Sequence, residues 1–227
     1  MSEWWTYTLS DFLMFSPRVY LRLIERYNEK IWPLQIVFTV CTLAVLPFAM
    51  KRSRFGAVAG FLLLAAAWIL SGWQFLWERY ATINWAVSYF AAAFMVQAAL
   101  LVLFALREAG TDASPPTSRM ASYGGAAIAL SGLLVFPSLT LIHGRPIATA
   151  ESFGAMPDPT AITTFGLLLV SWRRSFWLLL PIPILWCLFS TLTLWSLEEP
   201  GATLPLAAAI ITAALLLLRS GERRAAL

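Results

Sequence analysis

Seven apolar stretches lie between Ile31 and Leu218, joined by mostly short connectors, and every second connector is basic. A chain patterned this way has little choice of solvent. Stretches of roughly 20 apolar residues match about 30 Å of hydrocarbon, and backbone in hydrocarbon must satisfy its own hydrogen bonds, which favours helices. The pattern therefore predicts an all-α fold, a polytopic helical membrane bundle. Composition argues against one water-soluble core: hydrophobic residues are 59% of 227 and charged ones 12%, with mean hydropathy +0.73.

About seven transmembrane helices are expected, at 31–50, 56–77, 83–106, 121–142, 153–172, 176–195 and 201–218. Residues 1–30 form a separate amino-terminal segment ahead of the bundle at 31–227. That segment has no apolar run followed by a small-residue cleavage site, so the first span is expected to act as its own insertion signal. The stretch at 107–120 is polar and Pro-rich and reads as a flexible linker between a three-span half and a four-span half.

Orientation follows from the basic residues. Lys51, Arg52 and Arg54, then Arg107 and Arg119, then Arg173 and Arg174, then Arg219, Arg223 and Arg224 fall at alternate junctions. The positive-inside rule places that side in the cytoplasm. Opposite loops carry Arg79 and Arg145 among Glu78, Glu151, Asp158, Glu198 and Glu199. The expectation is a multi-pass protein of the bacterial cytoplasmic (inner) membrane, amino terminus outside and carboxyl terminus inside. Arg18, Arg22, Arg26 and Lys30, ahead of span one, run against it. Trp32, Trp77, Trp85 and Trp195 fall at proposed outer ends and Trp172 and Trp177 at an inner one, where amphipathic rings meet headgroups.

From Ser16 and Pro17, an N-cap and first-turn pair, the chain separates Val19, Tyr20, Leu23, Ile24 and Tyr27 from Arg18, Arg22, Glu25, Arg26 and Glu29. That is an amphipathic helix, either lying on the membrane surface or capping the outer mouth of the bundle. Trp4, Trp5, Tyr7, Phe12 and Phe15 extend its apolar side.

The opening WWTYTLSDFLMFSPRVYLRLIERYN, from Trp4 to Asn28, and FGAMPDPTAITTFGLLL, from Phe153 to Leu169, resemble two signature stretches of an uncharacterised bacterial family of multi-span membrane proteins. The family is a domain of unknown function, some of whose members carry an automatic permease label. The resemblance runs the length of the chain and implies membership without an activity.

Near mid-membrane the apolar spans hold no Asp, Glu, Lys or Arg, only Gln35, Gln74, Gln97 and hydroxyls, which argues against a proton or sodium pump. The fifth span is the exception. From Ala161 to Trp172 it has only twelve uncharged residues, about 18 Å of helix, so residues 153–160 must be drawn in. Gly154, Pro157, Pro159 and Gly166 interrupt it. A short, broken segment is where unwound backbone can hold a ligand. The candidate ligand-binding residues are Asp158, with His143, Arg145 and Glu151 from the same outer loop. The competing reading is that Asp158 caps the helix at Pro159.

Gly56 and Gly60, and the stripe of Gly124, Gly125 and Gly132, are expected to mark close helix packing. Pro137, Pro181 and Pro183 are expected to kink spans four and six. Cys41 and Cys187 lie in apolar surroundings as small hydrophobes. No phosphate loop, HExxH, CxxC or GxSxG is present, so neither an enzyme, a cofactor, a metal nor nucleic-acid binding is expected. The partners expected are the lipid bilayer, a small solute or ion, and a membrane protein docking through the amino-terminal aromatic segment. Two functions follow: a small-solute or ion permease with an outward-facing site near span five, or a non-transporting accessory or assembly subunit of a membrane complex. A water-filled central cavity would favour the first, and a dry bundle with an exposed apolar groove the second.

Overall fold

A computed structural model describes residues 15–110, 119–171 and 174–225. Trp4, Trp5, Tyr7, Phe12 and Trp172, Arg173, and most of the 107–120 linker, lie outside the described residues. What is described is helical, with no strand among the described residues.

Helix α1 (Pro17–Ile31) starts at Ser16, whose backbone is extended, with Pro17 in the first turn. Pro33, lacking an N–H, interrupts the helix, and α2 (Leu34–Met50) leaves at 77°. Ser53 opens α3 (Arg54–Ile69) by accepting a hydrogen bond from the Gly56 amide, which satisfies one of the orphan donors of the first turn. From Leu70 to Trp77 the helix widens to the π form. Next come α4 (Val87–Ala109) and α5 (Arg119–Leu130), which passes through a π-helical turn, Ser131–Val135, into α6 (Phe136–Ile142). The chain continues with α7 (Pro157–Val170), α8 (Pro181–Ser196) and α9 (Leu204–Ala225).

Each of the seven expected segments is helical, but they are not seven equal crossings. Among the described residues four are long and apolar enough to span a membrane: Arg54–Thr82, Val87–Ala109, Arg119–Ile142 and Phe176–Ser196. A fifth is reached if the bent pair α1 and α2 counts as one broken span. Helix α7 has 14 residues, and the apolar part of α9 runs only over Leu204–Leu218. Proline and glycine set these limits, through Pro33 before α2 and the Gly154 and Pro157 turn before α7.

Helix α7 occupies the axis. Every residue from 153 to 171 is buried, and the helix packs against α5, α8, α9, α3 and α2. Backbone meets backbone at the α5 contact: a Cβ placed on Gly166 would lie 2.3 Å from the Ala129 nitrogen and 2.5 Å from the Gly125 oxygen. One placed on Gly132 would lie 2.5 Å from Thr163 Oγ1. The expected glycine stripe thus has a partner stripe on α7, the small-residue geometry by which membrane helices gain dispersion contacts. Gly124 faces Leu215 of α9 instead. In the Gly56 and Gly60 pair only Gly56 is pressed: a Cβ placed on it would lie 2.3 Å from the α2 backbone, while one on Gly60 would meet nothing nearer than Val45 Cγ1 at 3.9 Å.

The outside of the bundle is apolar too. Val40, Leu62, Val96, Leu103, Leu134 and Leu192 are exposed, so these helices are hydrophobic around their whole circumference, as lipid-facing helices are.

The apolar side of α1 is covered. Tyr20, Ile24 and Tyr27 are buried, with Tyr20 against Tyr80 and Tyr27 against Phe75. Asn28 Nδ2 donates to the carbonyls of Ala148 and Ala150, each at 2.8 Å, and Gln35 Nε2 donates to the Asn28 carbonyl. The apolar face of this helix is thus packed against the bundle. Arg18, Arg22 and Arg26 remain exposed.

Candidate functional site

The loop after α6 and the start of α7 carry the residues singled out in the sequence, which fall into two places. Asp158 lies in the first turn of α7, where a carboxylate is favoured by the helix dipole. Its two oxygens turn away from its own helix. Oδ1 accepts from Trp186 Nε1 at 2.6 Å and Oδ2 from Ser190 Oγ at 2.7 Å. Trp186 and Ser190 sit four apart on α8, hence on one face. Asp158 is 2% exposed, under a Trp186 ring that packs against Phe90 and Phe94. The helix starts one residue earlier than Asp158, with Met156 at the cap position and no side-chain cap bond. Asp158 is therefore no N-cap, because two α8 donors hold its carboxylate.

Below it the hydroxyls of α7 form a ladder. Thr160 Oγ1 donates to the Met156 carbonyl and accepts from the Gly154 amide, and Thr164 Oγ1 donates to the Thr160 carbonyl while accepting from Trp68 Nε1 at 2.8 Å. Gly154 has φ +81° and backs onto the Phe38 ring, so both its backbone conformation and its neighbour favour glycine. Thr163 Oγ1, Thr191 Oγ1 and Gln97 Oε1 are buried without a hydrogen-bond partner among the described residues.

The other three candidates gather at the mouth of the bundle. His143, Arg145 and Glu151 line a small cavity of about 40 Å³ together with Thr149, Leu194 and Glu199. Arg145 Nη1 pairs with Glu199 Oε2. His143 is exposed, and its Nδ1 donates to the Leu139 carbonyl at 2.7 Å. Tyr20 of α1 lies beside Glu151 and favours its charged form, and Glu151 Oε2 has no hydrogen-bond partner among the described residues. Burial holds its carboxyl well above the usual range, and the charges of Asp158 and Glu199 push the same way. Asp158 is not among the residues lining that cavity.

Three residues complete these contacts without standing among the sequence candidates. Glu199 appears in the sequence only as an outer-loop acid, and neither Trp186 nor Ser190 carries a candidate role there. The i, i+4 pair of Trp186 and Ser190 inside an apolar span is the signal that could have found the Asp158 partners. Among the described residues no group of three or more His, Cys, Asp or Glu has the arrangement to hold a metal, and Cys41 and Cys187 are free.

The flank of the bundle carries a larger feature. Between the α1–α2 pair and α5–α6 runs a groove of about 730 Å³, lined chiefly by apolar side chains including Trp32, Ile36, Leu134 and Leu141, with six polar residues, Glu29 and Gln35 among them.

The chain belongs to DUF6064, a family of unknown function, whose model matches residues 17–226 and so takes in every helix above. No curated protein and no solved structure matches it.

Proposed function

We propose that this DUF6064 protein is a non-transporting accessory or assembly subunit of a membrane complex. The observation that carries the reading is α7. It is buried over its whole length and fills the axis that a solute would have to cross, and its carboxylate is held by hydrogen bonds from α8. The opening of the bundle is lateral, in the apolar groove beside α2 and α6, where a partner's membrane helix can lie. The reading includes the bacterial cytoplasmic membrane, an outside amino terminus and an inside carboxyl terminus, with α2, α7 and α9 as short crossings that complete seven. It includes no catalysis.

The permease alternative rests on the partnerless oxygens of Thr163, Thr191 and Gln97 inside the bundle, which a passing ligand with hydrogen-bond donors would satisfy, and on the buried carboxylate of Asp158 on α7. Flux into proteoliposomes, measured against a panel of ions and small solutes, separates the two. The accessory reading expects no uptake above protein-free vesicles, and capture of one specific membrane protein by a photo-reactive residue at position 134. Saturable uptake that Asp158→Asn abolishes would overturn it in favour of the permease. A carboxyl-terminal reporter active only in the periplasm would refute the orientation.

A further inference from the structure

The face of α1 turned away from the bundle poses a separate question. Arg22 and Arg26 lie one turn apart on it, and across a cleft of about 470 Å³ they meet Arg79, which follows the π-helical end of α3. Val19 and Leu23 supply an apolar wall, Thr82 closes one side, and Glu78 is the one acidic group lining the cleft. Three guanidiniums against one carboxylate leave the cleft cationic. None of the three arginines pairs with a carboxylate among the described residues. Arg79 is held in place over the Tyr27 ring, 5.8 Å from its centroid, so the cationic wall is anchored rather than trailing in solvent.

The depth of the cleft is marked independently. Trp73 and Trp77, on the last turns before Arg79, are half exposed and stacked on one another, while Trp32 at the end of α1 and Trp85 before α4 are also exposed. Exposed tryptophans at helix ends are the residues that settle at the headgroup level of a bilayer. A cationic cleft at that depth, with an apolar wall, faces phosphates attached to acyl chains. Guanidinium groups match the paired oxygens of a phosphodiester by geometry as well as charge.

We propose that the cleft between α1 and the end of α3 is a binding site for the headgroup of an anionic phospholipid, with Arg22 and Arg26 on its phosphodiester and Arg79 opposite. The net charge of the cleft selects an anionic lipid over a zwitterionic one. The site gives the basic residues of α1 a role whichever side of the membrane they occupy, and it rests on the membrane setting of the bundle rather than on either reading of its activity.

The test is lipid retention by the full chain purified in mild detergent, read by native mass spectrometry and by titration with phosphatidylglycerol or phosphatidylcholine. Wild type should retain phosphatidylglycerol selectively. Arg22→Gln with Arg26→Gln should weaken it about 30-fold, roughly fivefold per arginine, and leave phosphatidylcholine unchanged. Arg18→Gln, exposed on the same helix but outside the cleft, should have no such effect. Equal retention of the two lipids by wild type, or an Arg18→Gln loss as large as that of the cleft variants, would overturn the proposal. So would a response to inorganic phosphate alone to which phosphatidylglycerol adds nothing. The positions changed are exposed, so the variants should unfold as wild type does. Unchanged phosphatidylglycerol affinity in the folded double variant also overturns it.

Discussion

Substituting Gly166 by Ala adds one methyl group where the backbones of α5 and α7 meet. The new carbon would sit 2.3 Å from the Ala129 nitrogen and 2.6 Å from its Cα, about 1 Å or more inside the 3.5–4.0 Å of an ordinary carbon contact. The obstructing atoms are backbone, so no rotamer change relieves the clash and α5 and α7 must separate. Separation by even 0.5–1 Å forfeits roughly a quarter to a half of each contact's attraction along the seam. Overpacking of this kind costs about 1–3 kcal/mol, occasionally more, and the better helix propensity of Ala returns up to about 1 kcal/mol. A net loss of about 2 kcal/mol is expected, of the order of 30-fold in the folding equilibrium. Gly60→Ala is the internal control. It has the same chemistry, but its nearest neighbour is Val45 Cγ1 at 3.9 Å, so propensity should make it neutral or stabilising by up to about 1 kcal/mol. Denaturant unfolding in detergent, followed by tryptophan fluorescence, measures both. A Gly166→Ala protein as stable as wild type, or a Gly60→Ala protein destabilised equally, would refute the argument that backbone contact between α5 and α7 organises the bundle.

Trp186→Phe and Ser190→Ala each remove a donor from buried Asp158 and should cost about 1–3 kcal/mol apiece. Because the two share one carboxylate, their effects combined with Asp158→Asn in a mutant cycle should fall short of additive, and strict additivity would argue against the contact. Glu151 has a raised pKa in the folded protein, so the stability it confers is complete below the ordinary value of 4.5 and is lost as pH rises above it. Glu151→Gln should therefore flatten the fall in unfolding midpoint from about pH 4.5 towards neutrality, and an unchanged slope would count against that assignment. Ile24→Ser, at a position with 0% exposure, should cost roughly 2–5 kcal/mol of local packing and speed trypsin cleavage at Arg22 and Arg26 at least tenfold. Cleavage no faster than in wild type would mean that α1 does not depend on its contacts with the bundle.

The helices were legible because hydropathy is a local property: each apolar stretch could be read from its own residues, and each is helical. Their status as crossings was less so. Pro33, Gly154 and Pro157 shorten α2 and α7, and how far flanking backbone adds to a span depends on what it packs against. Of the candidate site, His143, Arg145 and Glu151 share a loop, and they do meet. The environment of Asp158 was out of reach, since its donors lie 28 and 32 residues away on another helix. Gly125 and Gly132 announced a close contact without identifying its other side, because Gly166 reads in sequence only as an interruption.

What the sequence determined by itself was class: a chain 59% hydrophobic, written in helix-length apolar runs, folds as helices, several of them long and apolar enough to span a membrane, whatever their arrangement. The separation of charge from apolar side chains along α1 was likewise present in the order of its residues. Only the tertiary structure decided which segment sits at the centre. The shortest and most broken of the apolar runs became the axis, because its small and hydroxyl side chains let α5 approach to backbone contact and because its one carboxylate found two donors on α8. Periodicity fixes what a helix presents, whereas a neighbour's shape and hydrogen-bonding groups fix what it can be packed against, and those come from residues far along the chain.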